Sequence, residues 1–234
     1  DGETLGRWLA GEGDLWELMA AADRLRRARF ADEVHLCSIV NAKMGGCPED
    51  CGFCAQSKHF TTHIKAEKFL DHEQMIAASR KAEAQGATAL GLVTATRGYE
   101  DDSKALRHMI EGVRQVRAAG HTEAHASLGI VSKDALRQLK EAGMTEFNHN
   151  LESGRSYYEK VVTTHTYDDR IATITAAKEL GLRTCVGGIF GMGERPEHRA
   201  ELALELRRLD VDEVPINFLV SIEGTKLEHV EPLE

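Results

Sequence analysis

Three cysteines lie close together in the stretch CPEDCGFCAQS at residues 47–57, in the spacing C-x3-C-x2-C. An aromatic residue, Phe53, directly precedes the last of these cysteines, which are Cys47, Cys51 and Cys54. Thiolates so close in sequence are typical ligands of zinc or of an iron–sulfur cluster. The stretch is therefore the first candidate for a metal centre.

The number of thiolates separates these two kinds of metal centre. Structural zinc sites usually have four protein ligands, and the fourth ligand here would have to be His59, His63 or the distant Cys185. Three thiolates suit a [4Fe-4S] cluster in which one iron stays open to an external ligand. We favour the cluster and keep zinc as the alternative.

Polar side chains near the ends of later apolar runs are candidates for the same site. Asn148, Asn150 and Asn217 each offer a donor and an acceptor, which suits a neutral polar substrate group. The alternative is that they cap the turns that follow. A carboxylate at a barrel strand end, such as Glu152, faces the pocket. Arg170 opens a later helix, where a solvated surface ion is the alternative to a binding role.

The elements that must position these residues alternate along the chain. The spacing of apolar residues in 3–29 predicts one or two amphipathic helices. Short apolar runs then predict six strands, at 36–40, 88–95, 123–130, 146–152, 184–191 and 214–220. The intervening helical patterns lie at 72–85, 101–119, 133–142, 167–180 and 196–208.

Six strand–helix units with nearly continuous apolar strands predict an α/β fold with a parallel sheet covered by helices. Right-handed crossovers allow a (β/α) barrel or an open doubly wound sheet, and periodicity alone does not choose between them. In a parallel barrel the loops after the strands form the chemical face, and the cysteine loop follows the first strand. We expect a helical N-terminal segment at residues 1–34 and one barrel domain at 35–234.

Composition narrows the class of protein. The 234 residues are 42% hydrophobic and 29% charged, with a formal net charge of −9. No apolar run approaches the roughly 18 residues that a membrane helix needs, and the basic residues form no stripe. We therefore expect no membrane and no nucleic-acid partner. Five cysteines, with no signal peptide before them, favour a reducing, cytoplasmic location.

The cysteine stretch resembles the radical S-adenosylmethionine (radical SAM) superfamily, whose signature is C-x3-C-x-aromatic-C after the first barrel strand. Further segments resemble the biotin synthase family, collinearly from about residue 30 to the chain end. These segments are NAKMGGCPEDCGFCAQS, NHNLES, TTHTYDDR, CVGGIFGMGE and VPINFLVSIEGTKLE. The resemblance implies a radical SAM barrel of the TIM type. Six strand–helix units are visible in this sequence, whereas the barrel of biotin synthase has eight.

The resemblance also implies cofactors and chemistry. Cys47, Cys51 and Cys54 would bind the [4Fe-4S] cluster, and SAM would chelate its open iron. Reductive cleavage of SAM would give a 5′-deoxyadenosyl radical that abstracts hydrogen from an unactivated carbon, so the protein would be an enzyme, a sulfurtransferase of the biotin synthase type. The further cofactor-binding residues would be Phe53, Asn150, Glu152, Arg170 and Ile189, and the substrate-binding residues Asn148, Asn150 and Asn217.

This sequence departs from the biotin synthase pattern at the ligands of a second iron–sulfur cluster. Biotin synthases with a [2Fe-2S] sulfur donor hold it with three strand cysteines, and the matching positions here are Gly91, His125 and Cys185. His125 and Cys185 are candidates for an auxiliary cluster, since histidine can replace cysteine on iron, but Gly91 supplies no ligand. Cys37 is a substitute ligand or, alternatively, a small buried strand residue.

The broken pattern leaves three reactions open. They are sulfur insertion of the dethiobiotin-to-biotin type, which we favour, lipoyl-type sulfur insertion on another acyl substrate, and carbon-skeleton rearrangement as in methylornithine synthase. The other classes of function are a zinc-stabilised non-catalytic barrel and an accessory subunit. The partners implied by resemblance are a small-molecule or acyl substrate, a reduced flavodoxin or ferredoxin as electron donor, and a second copy in a homodimer.

Overall fold

A computed structural model describes residues 2–233 of the chain. Two helices come first, α1 at Gly2–Leu9 and α2 at Leu15–Phe30, in the region where the sequence predicts one or two. Neither helix contains a buried residue. Large apolar side chains of α2, such as Trp16 and Leu25, are exposed, so α2 does not bury an amphipathic face.

Parallel strands and helices alternate through the rest of the described chain. The strands are β1 Cys37–Lys43, β2 Ala89–Thr94, β3 Glu123–Ser127, β4 Met144–Asn148, β5 Arg183–Cys185, β6 Gly188–Phe190 and β7 Ile216–Phe218. The helices are α3 His72–Ala84, α4 Lys104–Ala119, α5 Lys133–Glu141, α6 Arg155–Val161, α7 Tyr167–Glu179 and α8 Pro196–Leu209. Helix α1 packs against α8.

The order of the strands decides between the two types of sheet. Strands β1–β5 form one parallel sheet in chain order, and β6 pairs with β7 in a second parallel sheet. A doubly wound sheet reverses its strand order at a switch point, whereas a (β/α) barrel adds each strand next to the last. The fold is therefore α/β of the barrel type. Within residues 2–233 no pairing joins β7 to β1, so barrel closure stays a prediction.

One predicted strand is two strands in the structure. Residues 184–191 divide into β5 and β6, because the chain leaves the first sheet at Val186 and Gly187 and then pairs with β7. A Cβ atom on Gly187 would lie 1.8 Å from the carbonyl oxygen of Pro215. Only glycine allows the two backbones to approach this closely.

Two further expectations about elements were wrong. Strand β4 ends at Asn148, so Asn150 and Glu152 lie in the loop that follows it rather than in the strand. Helix α6 was not predicted, since it has only 7 residues and no side-chain cap at Gly154. It forms because it buries Tyr157 and Tyr158 against the core.

Two buried apolar clusters hold the site in place. The first joins the sheet β1–β4 to helices α3–α5 and contains Phe147; the second lies under α6–α8 and contains Leu151. Burying a side chain of this size stabilises the fold by about 1.5–3 kcal/mol. Because Phe147 and Leu151 anchor the chain on both sides of residues 148–150, the two asparagines between them are fixed in position.

Within residues 2–233, no helix is both long enough and apolar enough to span a bilayer.

Candidate active site

A cavity of about 550 Å³ runs along one face of the first sheet and past the carboxyl ends of its strands. It is lined by most of the residues that the sequence predicts for the site, which are Cys47, Cys51, Phe53, Cys54, His125, Asn148, Asn150, Glu152, Arg170, Cys185 and Asn217. Ile189 is not among the lining residues and packs instead against the buried cluster that contains Leu151. The fold thus brings chemical groups from distant segments to one cavity.

The cysteine loop is closed by its own backbone. The amide of Cys47 donates to the carbonyl of Gln56 at 2.9 Å, and the amide of Lys58 donates to the carbonyl of Cys47 at 2.8 Å. Within the loop, the amide of Cys54 donates to the carbonyl of Cys51 at 2.9 Å. These bonds fix the directions in which the three thiols leave the backbone.

Two acidic residues tie this loop to the segment before α7. The hydroxyl of Thr164 donates to Glu49 Oε2 at 2.7 Å, and His165 Nδ1 bonds the same oxygen. Asp50 Oδ1 accepts from the amides of Thr163 and Thr164 at 2.9 and 3.2 Å. Burial alone would raise the pKa of Asp50, but the hydrogen bonds from these threonines lower it to about 2. The ionised carboxylate is therefore the form that holds the loop.

The three thiols of the cysteine loop are available as metal ligands. Cys47, Cys51 and Cys54 all line the cavity and form no disulfide bond. Burial raises the pKa of all three thiols, that of Cys51 to about 12. Metal binding at the loop must therefore displace the thiol protons.

Arg170 is placed by the start of helix α7. Thr166 caps the helix, and its side chain accepts from the amide of Asp169 at 3.1 Å. In the first turn, Arg170 Nε donates to the Tyr158 hydroxyl at 2.6 Å, and Nη1 donates to the Asn150 carbonyl at 2.6 Å. Arg170 is buried, which excludes a solvated surface ion. Among the described residues its hydrogen bonds use Nε and Nη1, and Nη2 is left for a ligand in the cavity.

Glu152 carries an unpaired oxygen next to this arginine. Its Oε1 lies 3.6 Å from Arg170 Nη1, while the buried Oε2 has no hydrogen-bond partner within the described part of the chain. Burial raises the pKa of Glu152, against the opposing charge of Arg170. Its backbone is left-handed, with φ at +67°, which costs about 1–2 kcal/mol for a residue with a Cβ. Strain together with an orphaned buried oxygen is typical of a binding site.

The three asparagines have different surroundings. Asn150 Oδ1 accepts from the backbone amide of Gly187 at 3.0 Å, so the Asn150 side chain bridges two loops rather than capping its own turn. Asn148 Nδ2 lies 3.5 Å from Glu146 Oε1. Asn217 is on β7 opposite Ile189 and is exposed to the cavity mouth. Their roles toward a substrate stay predictions.

The same pattern of segments is found in known proteins. Residues 42–206 match the sequence profile of the Radical SAM superfamily over most of the chain. This chain belongs to the radical SAM superfamily. Its curated relatives include biotin synthases from Trichlorobacter lovleyi, with 45% identity over 94% of this chain, and from Carboxydothermus hydrogenoformans, with 44% identity over 99%. The chain spans about two thirds of the length of these relatives, 66% and 72% respectively.

Solved structures agree on the architecture of this radical SAM protein. A crystal structure of methylornithine synthase superimposes with a TM-score of 0.85 over 98% of the chain and 67% of that protein, at 20% identity. The FeFe-hydrogenase maturase HydG from Carboxydothermus hydrogenoformans gives a TM-score of 0.78 over 100% of the chain and 56% of that protein, at 15% identity. At these identities the likeness concerns the fold alone.

The residues of the radical SAM protein fit the two cofactors of its family, a [4Fe-4S] cluster and SAM. The three thiols of the cysteine loop line one cavity, and three thiolates suit a cluster that leaves one iron open to an external ligand. Beside them, the orphaned Glu152 Oε2 offers an acceptor and Arg170 offers a cation, which match the amine and the carboxylate of an amino-acid group.

The residues at the predicted auxiliary cluster do not fit a [2Fe-2S] group. Gly91 has no ligand atom, and both ring nitrogens of His125 have protein partners. Nδ1 lies 3.1 Å from Glu146 Oε1, and Nε2 lies 3.2 Å from Arg183 Nη2. Of the three matching positions only Cys185 offers a free thiol.

Sequence reasoning missed several residues at the cavity. Glu49 and His165 hydrogen-bond to each other and so tie down the cysteine loop, and Glu146 lies in strand β4, two residues before Asn148. A signal existed for two of them, because a carboxylate between cluster cysteines and a carboxylate within an apolar strand both require a partner. The partner of Glu49 was unpredictable, since His165 is separated from it by 116 residues.

Proposed function

We propose that this chain is the catalytic barrel of a radical SAM enzyme of the biotin synthase type, acting on a small-molecule or acyl substrate by sulfur insertion. When bound, the [4Fe-4S] cluster and SAM supply hydrogen-atom abstraction at an unactivated carbon. The single observation that carries the proposal is the orphaned carboxylate oxygen of Glu152 beside Arg170, in the same cavity as three cysteine thiols.

The protein's own residues position the reactants in this proposal. Cys47, Cys51 and Cys54 hold the cluster, while Glu152 and Arg170 orient the amino-acid end of SAM by charge-assisted hydrogen bonds. Asn148, Asn150 and Asn217 are proposed to bind the polar head of the substrate, with Phe53 as an apolar neighbour of SAM. A contact between SAM and Ile189, which does not line the cavity, is supported by the resemblance alone.

The proposal extends to partners that support turnover. A reduced flavodoxin or ferredoxin is the proposed electron donor, the location is the cytoplasm, and the oligomer is a homodimer. These points are what the resemblance to the biotin synthase family implies, and no contact within residues 2–233 bears on them.

A second candidate function follows from the missing thiolates. Gly91 and His125 leave the sulfur donor of biotin synthases without its usual ligands. The alternative is a related enzyme that inserts sulfur into a lipoyl-type substrate or rearranges a carbon skeleton. Product analysis separates these cases: incorporation of sulfur excludes the skeleton rearrangement, and the substrate that acquires the sulfur, dethiobiotin or a lipoyl precursor, separates the two sulfur insertions.

The test is anaerobic reconstitution with iron and sulfide, followed by reduction in the presence of SAM. We expect about four irons per chain for the SAM cluster and release of 5′-deoxyadenosine. In Glu152→Gln the KM for SAM should rise about 10- to 100-fold, because one charged hydrogen bond is lost. Glu159→Gln, on the exposed side of α6, is the matched control and should leave the KM unchanged. A colourless protein that holds one zinc and releases no 5′-deoxyadenosine would end the proposal.

A further inference from the structure

Three ligand groups gather around Cys185, which lines the cavity, whereas Glu146 and Glu213 are not among its lining residues. One oxygen from Glu146, the sulfur of Cys185 and one oxygen from Glu213 all lie within 4.8 Å of one another. Strand pairing brings them together: Glu146 lies opposite Arg183 in the β4–β5 ladder, and a backbone bridge joins Cys185 to Glu213. The arrangement is therefore set by the register of the sheet.

One of these groups, Glu146, has a buried oxygen without a hydrogen-bond partner. The side chain of Glu146 is 1% exposed, and its Oε2 accepts no hydrogen bond within residues 2–233. Its Oε1 is held by His125 Nδ1 at 3.1 Å. Arg183 forms an ion pair with Oε2 through Nε at 3.5 Å, while its Nη2 pairs with Glu123 at 2.6 Å. Two carboxylates and a thiol whose ligand atoms lie within 4.8 Å of one another repel when all are ionised, so a cation or a proton between them stabilises the group.

We propose that Glu146, Cys185 and Glu213 bind a single divalent transition-metal cation of the Zn²⁺ or Fe²⁺ class. One thiolate with two carboxylates suits these borderline ions and disfavours Mg²⁺ and Ca²⁺, which prefer oxygen alone. His125 acts as a positioning residue, because its Nδ1 orients the Glu146 carboxylate from outside the ligand set.

The position of the cation gives it access to the cavity. Cys185 lines the cavity together with Asn148 and Asn217. Three protein ligands are the number that leaves a coordination position for a substrate atom. The site does not depend on SAM chemistry, so its failure and the failure of the proposed function are separate results.

The test uses the full chain with its [4Fe-4S] cluster reconstituted and excess metal removed. Co²⁺ is titrated anaerobically as the probe, and a thiolate-to-cobalt absorption band reports a cysteine ligand. We expect one Co²⁺ per chain, displaced by Zn²⁺, with the iron content unchanged. Absence of Co²⁺ binding would mean that Glu146 and Glu213 share a proton, and it would overturn the proposal.

Variants locate the bound ion. Cys185→Ser should remove the absorption band, and Glu213→Gln should weaken Co²⁺ binding by about 10-fold or more. Cys37→Ser changes the other strand cysteine that lines the cavity and is the matched control, expected to bind as the unchanged protein does. Circular dichroism shows whether each variant folds. If Cys185→Ser does not fold, Glu213→Gln still tests the proposal, because Glu213 is only partly buried. An unchanged band in Cys185→Ser, or extra iron accompanied by inorganic sulfide, would overturn the proposal.

Discussion

The two candidate metal-ligating regions are positioned in different ways. The cysteine loop carries its three thiols on turns closed by backbone hydrogen bonds within one short segment. The deeper group is formed by Glu146 on β4, Cys185 on β5 and Glu213, which an isolated backbone bridge joins to Cys185, and its ligand atoms lie within 4.8 Å of one another. Local hydrogen bonds therefore place the first set of ligands, whereas the register of adjacent strands, about 4.8 Å apart, places the second.

The largest expected effect is a separation of the two regions by single substitutions. Cys51→Ala should lose the iron–sulfur absorption and all release of 5′-deoxyadenosine, because a cluster ligand is missing, and should still bind Co²⁺ at the deeper group. Cys185→Ser should retain the iron–sulfur absorption and lose the cobalt band. Optical spectra of both variants after reconstitution measure the iron–sulfur absorption and the cobalt band. Loss of both metals in either variant would show that the regions form one site.

The next largest effect concerns the arginine beside the cysteine loop. Arg170→Met leaves Glu152 and the Asn150 carbonyl without their buried partner, and should lower the free energy of unfolding by about 3–5 kcal/mol. Urea unfolding measures the change. Arg155→Met is the control, since Arg155 pairs with Asp168 at the surface and should cost less than about 1 kcal/mol. Equal losses in the two variants would contradict a special role for burial at Arg170.

A smaller effect is expected where the loop is tied to the segment before α7. Glu49→Gln weakens the bonds to Thr164 and His165 and should reduce stability by about 1–3 kcal/mol. The Glu49→Gln variant should also lose its iron–sulfur cluster to an iron chelator faster than the unchanged protein does. The decay of iron–sulfur absorption measures this rate. Glu67→Gln, an exposed position outside the loop, should decay at the unchanged rate. The deeper group should keep its cobalt affinity in both variants, because no strand is altered.

The smallest effect depends on pH. The pKa of Asp50 is lowered from 3.8 to about 2, so its contribution to stability is present above pH 3.8 and is lost as the pH falls through about 2. Asp50→Asn removes this contribution. The difference in unfolding temperature between the two proteins should therefore shrink as the pH falls from about 5 to about 2. A difference that does not change over this range would mean that the carboxylate charge does not hold the loop.

Much of the fold could be predicted because it depends on local pattern. Apolar runs and helix stops gave the alternation of strands and helices, and helix bounds such as those of α3 and α7 agree to within one residue. Helix α6 escaped because it has no cap and is stabilised by the tertiary burial of Tyr158. The division of residues 184–191 escaped because it depends on how closely Gly187 approaches Pro215, which no local pattern records.

By itself the sequence determined that three thiols lie together on one short loop, because ligand spacing along a chain is a covalent property that folding does not change. It also predicted several polar residues that line the cavity, Asn148, Asn150, Glu152 and Asn217 among them, since strand ends in a parallel sheet meet on one side. Only the tertiary structure decided that Glu152 has a free oxygen beside Arg170 and that Glu146 and Glu213 converge on Cys185. These are contacts between distant segments, fixed by strand register and by packing against the core, and the sequence carries them only through the fold.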